Sequence, residues 1–241
     1  MRTISMAAAM LLVVIGCGKP KSEPGTMDST ARSTDMNMHG DSSHMGGMNG
    51  DHHMGMSDSG MTMSGDMEHD MPMMNEMMVR NLGAGDSSYE YRFIDEMIPH
   101  HEGAVMMAKD ALAKANRPEL KKLAESIIAS QQKEIDQMKQ WKKSWYGDKV
   151  PAGTGAASGM MGKMSSMNEM MVKHLGQKDS NYEDRFIDEM IPHHEGGVAM
   201  AKDALVKAHR PELKKLAQDI ITGQEKEIAQ MKEWRRQWYG H

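Results

Sequence analysis

Cysteine occurs once in this 241-residue chain, at position 17, so no intramolecular disulfide framework can hold it together. Aromatic residues make up only 5%. The net charge is -5, with no basic cluster to track phosphates, which excludes a nucleic-acid partner. A long apolar run is also missing. Ile4 to Ile15 is hydrophobic but too short to span a bilayer as a mature helix.

The lone cysteine has a place of its own. Arg2, the apolar run and then Val14-Ile15-Gly16-Cys17 read as a bacterial lipoprotein signal, in which residues 1–16 are removed and Cys17 is lipidated. An ordinary secretory signal with an incidental cysteine is the alternative. Either reading puts the mature chain outside the cytoplasm in an oxidising compartment, and the lipoprotein reading anchors it at the cell envelope, facing the periplasm or cell exterior.

Methionine and histidine are abundant instead, 31 and 12 residues. Residues 17–72 form a tether of Gly, Ser, Asp, Met and His without periodicity, expected to be disordered when metal-free. Within it His39, His44, His52, His53 and His69 are interspersed with Met45, Met48, Met54 and Met56. Thioethers are soft ligands suited to Cu(I), and imidazole serves both copper oxidation states. Thiolates bind more tightly but oxidise outside the cytoplasm, so a Met/His segment is a sensible copper collector there. A flexible tether whose methionines scavenge oxidants is the bland alternative.

From Met74 the chain repeats itself. Residues 74–147 align on 167–240 without a gap, at an offset of 93, with about 54 of 74 positions identical. Residues 73–147 are therefore repeat one, 167–241 repeat two, and 148–166 a Gly/Ala/Ser linker. Each repeat reads as helix throughout. A short leading helix stops at Gly83 or Gly176; the second opens at the capping box Ser166-Met167-Asn168-Glu169. Further capping boxes, Ser87 to Glu90 and Ser180 to Glu183, start long helices reaching Ala115 and Ala208. Phe93, Met97, His100, Ala104, Met107 and Ala111 follow a 4-3-4-3-4 spacing, which is a bundle seam. Arg117-Pro118 turns the chain into a last helix that ends at Gly147. Trp141, Trp145, Tyr146 and their counterparts Trp234, Trp238 and Tyr239 are expected to close the core at the hairpin end. Two such hairpins most simply form an all-α four-helix bundle with pseudo-two-fold symmetry. Two separate domains, each dimerising with another molecule, remain the alternative.

The stretch RFIDEMIPHHEG occurs twice, at 92–103 and 185–196. Met97 lies one helical turn from His100 and His101, and Pro99 kinks the helix there. His100 is expected on the seam at the level of Glu134, with Met97 facing Met138; His101 is rotated toward the flank. Repeat two places Met190, His193, His194, Glu227 and Met231 alike, and Gln131 and Gln224 stand nearby as polar neighbours. Di-iron bundles use Glu-x-x-His. Here Met97-x-x-His100 and Met190-x-x-His193 substitute sulfur for oxygen, which favours copper over iron. Core packing by the methionines, and a hydrogen bond from a core histidine to Glu134, are the competing readings. Asp95, Glu96 and Glu102 are expected to be solvated or paired with Arg92 and Lys109.

At FIDEMIPHHEGAVMMA and FIDEMIPHHEGGVAMA the chain resembles a bacterial secreted His-His-motif family of unassigned function in the ferritin-like superfamily. The resemblance covers about Met74 to Gly240. It implies a ferritin-like four-helix bundle, and some methionine-rich periplasmic members are linked to copper binding and resistance. Carried over, the motif residues are Met97, His100, His101 and Met107, then Met190, His193, His194 and Met200. The reading is a copper-binding protein for Cu(I) or Cu(II), with Cu(I) favoured and Ag(I) a further candidate, that sequesters or buffers metal in metal tolerance without catalysis. A metal oxidase and a metal-free envelope lipoprotein are the alternatives, and a homo-oligomer or a copper-delivery partner is left open.

Overall fold

The computed structural model describes residues 67–152 and 154–240. These residues fall within one unit of the chain, Asp58–His241. Among them the elements are α1 (Met67–Leu82), α2 (Tyr89–Lys114), α3 (Pro118–Tyr146), α4 (Gly155–Leu175), α5 (Tyr182–Lys207) and α6 (Pro211–Tyr239). The fold is all-α, and its long helices form two repeated hairpins, α2 with α3 and α5 with α6.

Hairpin geometry follows from local chemistry. Pro118 and Pro211 open α3 and α6 at the position where a missing N–H costs nothing. Arg117 and Arg210 before them are extended, as a residue preceding proline must be. Gly83, Gly147, Gly176 and Gly240 end helices at positive φ, which side chains with a Cβ resist.

Helices α2 and α5 pack on each other at the centre, and the two repeats close within one chain. The ties between them are reciprocal. Tyr89 donates to Asp203 and Tyr182 to Asp110, both at 2.8 Å. Lys114 donates to the Gly176 carbonyl and Lys207 to that of Gly83. Phe93, Phe186, Leu82, Leu120 and Leu213 fill the shared core with no exposed surface.

The structure adds one arrangement and changes two expectations. The leading helices cross between repeats: α1 packs chiefly on α5 and α4 on α2. Each hairpin is thus roofed by the other repeat's first helix. Secondly, residues 155–166, read as linker, are the first turns of α4, so Ser166 lies inside a helix rather than at its start. Ala156, Ala157, Met160 and Met161 are good helix formers, and they outweigh the interspersed glycines. Helix α1 likewise begins at Met67, within the segment read as tether.

Thirdly, the capping-box glutamates cap something else. Neither Ser88 nor Asn181 makes a side-chain cap bond. Glu90 instead accepts the backbone N–H groups of His209 and Arg210 at the start of α6. Glu183 accepts those of Asn116 and Arg117 at the start of α3. A buried carboxylate at a helix N-terminus satisfies orphan donors and the helix dipole together.

The aromatic ends follow the same exchange. Trp141 stacks on Trp145 and Trp234 on Trp238. Arg210 lies 4.2 Å over the Trp145 ring and Arg117 4.2 Å over that of Trp238, each reaching from the other repeat.

Candidate metal centre

The repeated stretch sits where α2 and α5 cross, and its proline and glycine have a common purpose. Asn168 of α4 donates to the Pro99 carbonyl at 2.8 Å, and Asn75 of α1 to that of Pro192 at 2.9 Å. A Cβ on Gly103 would lie 2.3 Å from the Asn168 side chain, and one on Gly196 2.3 Å from that of Asn75. Glycine at the end of the stretch therefore admits an asparagine from the crossing helix, which holds the backbone at the proline. Neither asparagine was singled out from the sequence. Their positions in the leading helices give no hint until α1 and α4 are seen to exchange partners.

This frame aims two imidazoles at each other. The rings of His100 and His193 lie 3.9 Å apart between centroids, tilted by 33°. Both are buried, and neither nitrogen of His100 nor Nδ1 of His193 has a hydrogen-bond partner. Burial pushes both pKa values well below the usual 6.5, and the neighbouring histidines push the same way. Both rings are therefore neutral at pH 7.

His101 and His194 do not flank the core, as the helical rotation predicts. Both are fully buried. It is His101 that meets Glu134, through Nε2 at 2.7 Å, and His194 meets Glu227 at 2.8 Å. His100, expected at the level of Glu134, stacks on its pseudo-symmetric partner instead. Nδ1 of His101 and of His194 stays buried without a partner. With the proton on Nε2, shared with the carboxylate, each Nδ1 lone pair is open to a metal. A carboxylate orienting the far side of an imidazole is the usual support of a metal-binding histidine.

A groove of about 540 Å³ opens between α3 and α6 and reaches this layer. Glu134, Glu227, Gln131 and Gln224 line it. The amides of both glutamines are buried, and neither their nitrogens nor their oxygens find partners. Among the described residues, no three His, Cys, Asp or Glu side chains converge closely enough to hold an ion by themselves.

Thioethers are plentiful in the core. Met97, Met107, Met138, Met190, Met200 and Met231 are completely buried in the same core cluster as the helices that carry the histidines. The flanking carboxylates mostly behave otherwise than expected. Asp95 is buried and paired with Lys142, Glu102 pairs with Lys139 at 2.8 Å, and Arg92 turns to Asp86 and the carbonyls of Leu82 and Ala84. Cys17 and the tail positions His39, His44, Met45, Met48, His52, His53, Met54 and Met56 lie outside the described residues. His69 falls in α1, with its side chain outside the description. Among the described residues no helix is long and apolar enough to cross a membrane.

The model of the domain of unknown function DUF305 matches this chain twice, over residues 17–142 and 90–235. The chain belongs to the DUF305 family. The double match follows its internal duplication. Among solved structures, CopM in the Ag-bound form is 41% identical, with a TM-score of 0.52 over 63% of this chain and 98% of CopM. CopM in the Cu(I)-bound form is 40% identical, with a TM-score of 0.51 over the same shares. The apo form of CopM aligns with a TM-score of 0.50 at 41% identity, again over 63% of this chain and 98% of CopM. An uncharacterized protein of Acanthamoeba polyphaga mimivirus is 43% identical over 47 residues, 20% of this chain and 31% of that protein. This DUF305 chain thus spans less than a third of that curated relative.

Proposed function

We propose that this protein binds copper outside the cytoplasm, favours Cu(I), and sequesters or buffers it without catalysing a reaction. The observation that carries the reading is the layer of four buried imidazoles between α2 and α5, with unpartnered ring nitrogens in a core rich in thioethers. Buried polar atoms without partners are costly, and a bound ion would satisfy them. Soft sulfur with imidazole suits Cu(I) and Ag(I). The likeness to CopM, solved with Cu(I) and with Ag, supports copper as the metal.

In this reading His100 and His193 bind through ring nitrogens. His101 and His194 bind through Nδ1, with Glu134 and Glu227 holding them in orientation. Met97, Met138, Met190 and Met231 supply sulfur, and Met107 and Met200 the motif's further thioethers. Gln131 and Gln224 stand beside the ligands. The Met/His segment collects metal ahead of the bundle, on the composition alone. Lipidation at Cys17 ties the protein to the membrane.

Titration with Cu(I) against a competing chelator tests this in a variant lacking residues 17–66. The bundle is expected to retain at least one tight site, and H100A with H193A to abolish it. Unchanged stoichiometry in the double variant overturns the bundle site. Oxygen uptake with Cu(I) or Fe(II) is expected at background; turnover would make the protein an oxidase. Because burial keeps His100 and His193 neutral well below pH 6.5, protons should compete with metal at these two rings only further down. The unfolded chain protonates these rings first, so folding stability falls as pH drops below 6.5.

A further inference from the structure

We infer that the two halves of the centre are unequal, and that Gly197 and Gln224 make the His100 half the tighter metal site. The inference rests on the copper-binding reading above. At the 93-residue offset His100 corresponds to His193 and Gln131 to Gln224. Ala104, however, corresponds to Gly197. This is a difference between repeats within the layer that holds the imidazoles.

A Cβ at position 197 would lie 2.5 Å from Oε1 of Gln224, 3.2 Å from its Nε2 and 3.1 Å from Cε1 of His100. The Gln224 amide therefore occupies the space a methyl group would take, against α5 and beside the His100 ring. Ala104 carries that methyl in repeat one and is fully buried. That methyl fills the matching seat against α2, so a Gln131 amide placed like that of Gln224 would collide with it. The pseudo-two-fold axis fails at one carbon atom, next to the unpartnered imidazole.

The consequence is chemical. An imidazole that binds metal through one nitrogen carries a proton on the other, and that proton needs an acceptor. The Gln224 carbonyl oxygen is buried, without a partner, and placed beside His100. Gln224 is thus placed to accept a hydrogen bond from that proton once metal binds, a positioning residue for His100 rather than a donor of sulfur or imidazole. Loss of such a supporting group commonly weakens metal binding about 10- to 100-fold. On this inference His193 lacks the equivalent support, because the Ala104 methyl fills the seat that Gln131 would need.

The test follows the side-chain nitrogen resonances of His100 and His193 by NMR in the full-length protein, as Ag(I) is added under a competing chelator. His100 is expected to saturate at about 10-fold lower free Ag(I) than His193. G197A should bring His100 to the level of His193, and A104G should tighten His193 toward His100. Q224A keeps the glycine and should reproduce the loss if G197A proves too crowded to fold. Simultaneous saturation of both rings in the native sequence, or an order untouched by these exchanges, overturns the inference while leaving copper binding intact. No response from either ring overturns the copper-binding reading and this inference together.

Discussion

At position 96 repeat one buries a carboxyl group with neither oxygen hydrogen-bonded, while repeat two pairs the matching Glu189 with Nδ1 of His174. Asn81 stands in repeat one where repeat two has His174. Burial, with Asp95 adding to it and Arg92 opposing, pushes the Glu96 carboxyl up to about 8. Burial raises Glu189 too, but His174 pulls it back. The same buried acid has no hydrogen-bond partner in one half and a histidine partner in the other. The duplicated halves keep their proline, histidines and crossing asparagines alike and have diverged in what neighbours the layer. Asp95 follows this pattern, buried against Lys142, whereas Asp188 meets Arg235 near the surface.

Glu96 offers the largest test of that difference. In the unfolded chain it ionises near 4.5, whereas in the folded chain it holds its proton to about 8. The unfolded state binds fewer protons in between, so this group costs stability as pH rises from 4.5 to 8. E96Q should therefore stabilise the protein by on the order of 3 kcal/mol at pH 8 and by little at pH 4, measured by urea unfolding. E189Q loses its pairing with His174 and should bring no such gain. Equal responses in the two variants would show the repeats to be electrostatically alike.

The glycines that admit the asparagines should behave in the opposite way. G103A and G196A each force a Cβ to 2.3 Å from an asparagine side chain. A loss of about 2 kcal/mol is expected for each, from overcrowding. The two losses should agree within about 0.5 kcal/mol, since the geometry is the same in both halves. A clear inequality would extend the asymmetry from the flank to the frame itself.

The smallest effect concerns the exchanged caps. E90A and E183A should each cost about 1 kcal/mol, the usual value of a helix cap. Each should act on the helix of the other repeat. Amide hydrogen exchange should quicken at the start of α6 in E90A and at the start of α3 in E183A. Faster exchange confined to the mutated repeat would contradict the reciprocal capping.

Much of the fold is legible in the chain itself. The seam from Phe93 to Ala111, the Arg117-Pro118 turn and the glycines at 83, 147 and 176 each impose a local answer, and the helices end where these residues require. What local patterns cannot show is which copy a side chain will serve. Glu90 has capping-box spacing to its own helix, but the backbone donors it meets belong to His209 and Arg210. Helical rotation places His101 away from the seam correctly for an isolated helix. A helix packed on three neighbours has no free flank, so both adjacent histidines are buried. The His-His stretch was readable as chemistry, whereas the stacking of His100 on His193 and the intrusion of Gln224 beside Gly197 depend on the angle at which α2 and α5 cross.

The crossing of the leading helices bears on ancestry. A chain with a single copy of this repeat would have a hairpin with no roof and a first helix with nothing of its own to cover. The simplest partner for both is a second copy, exchanging first helices across a true two-fold axis. Fusion of the two copies through the short connection after Gly147 would preserve that handshake and make association independent of concentration. It would also let the two halves mutate separately, which no symmetric pair of identical chains can do.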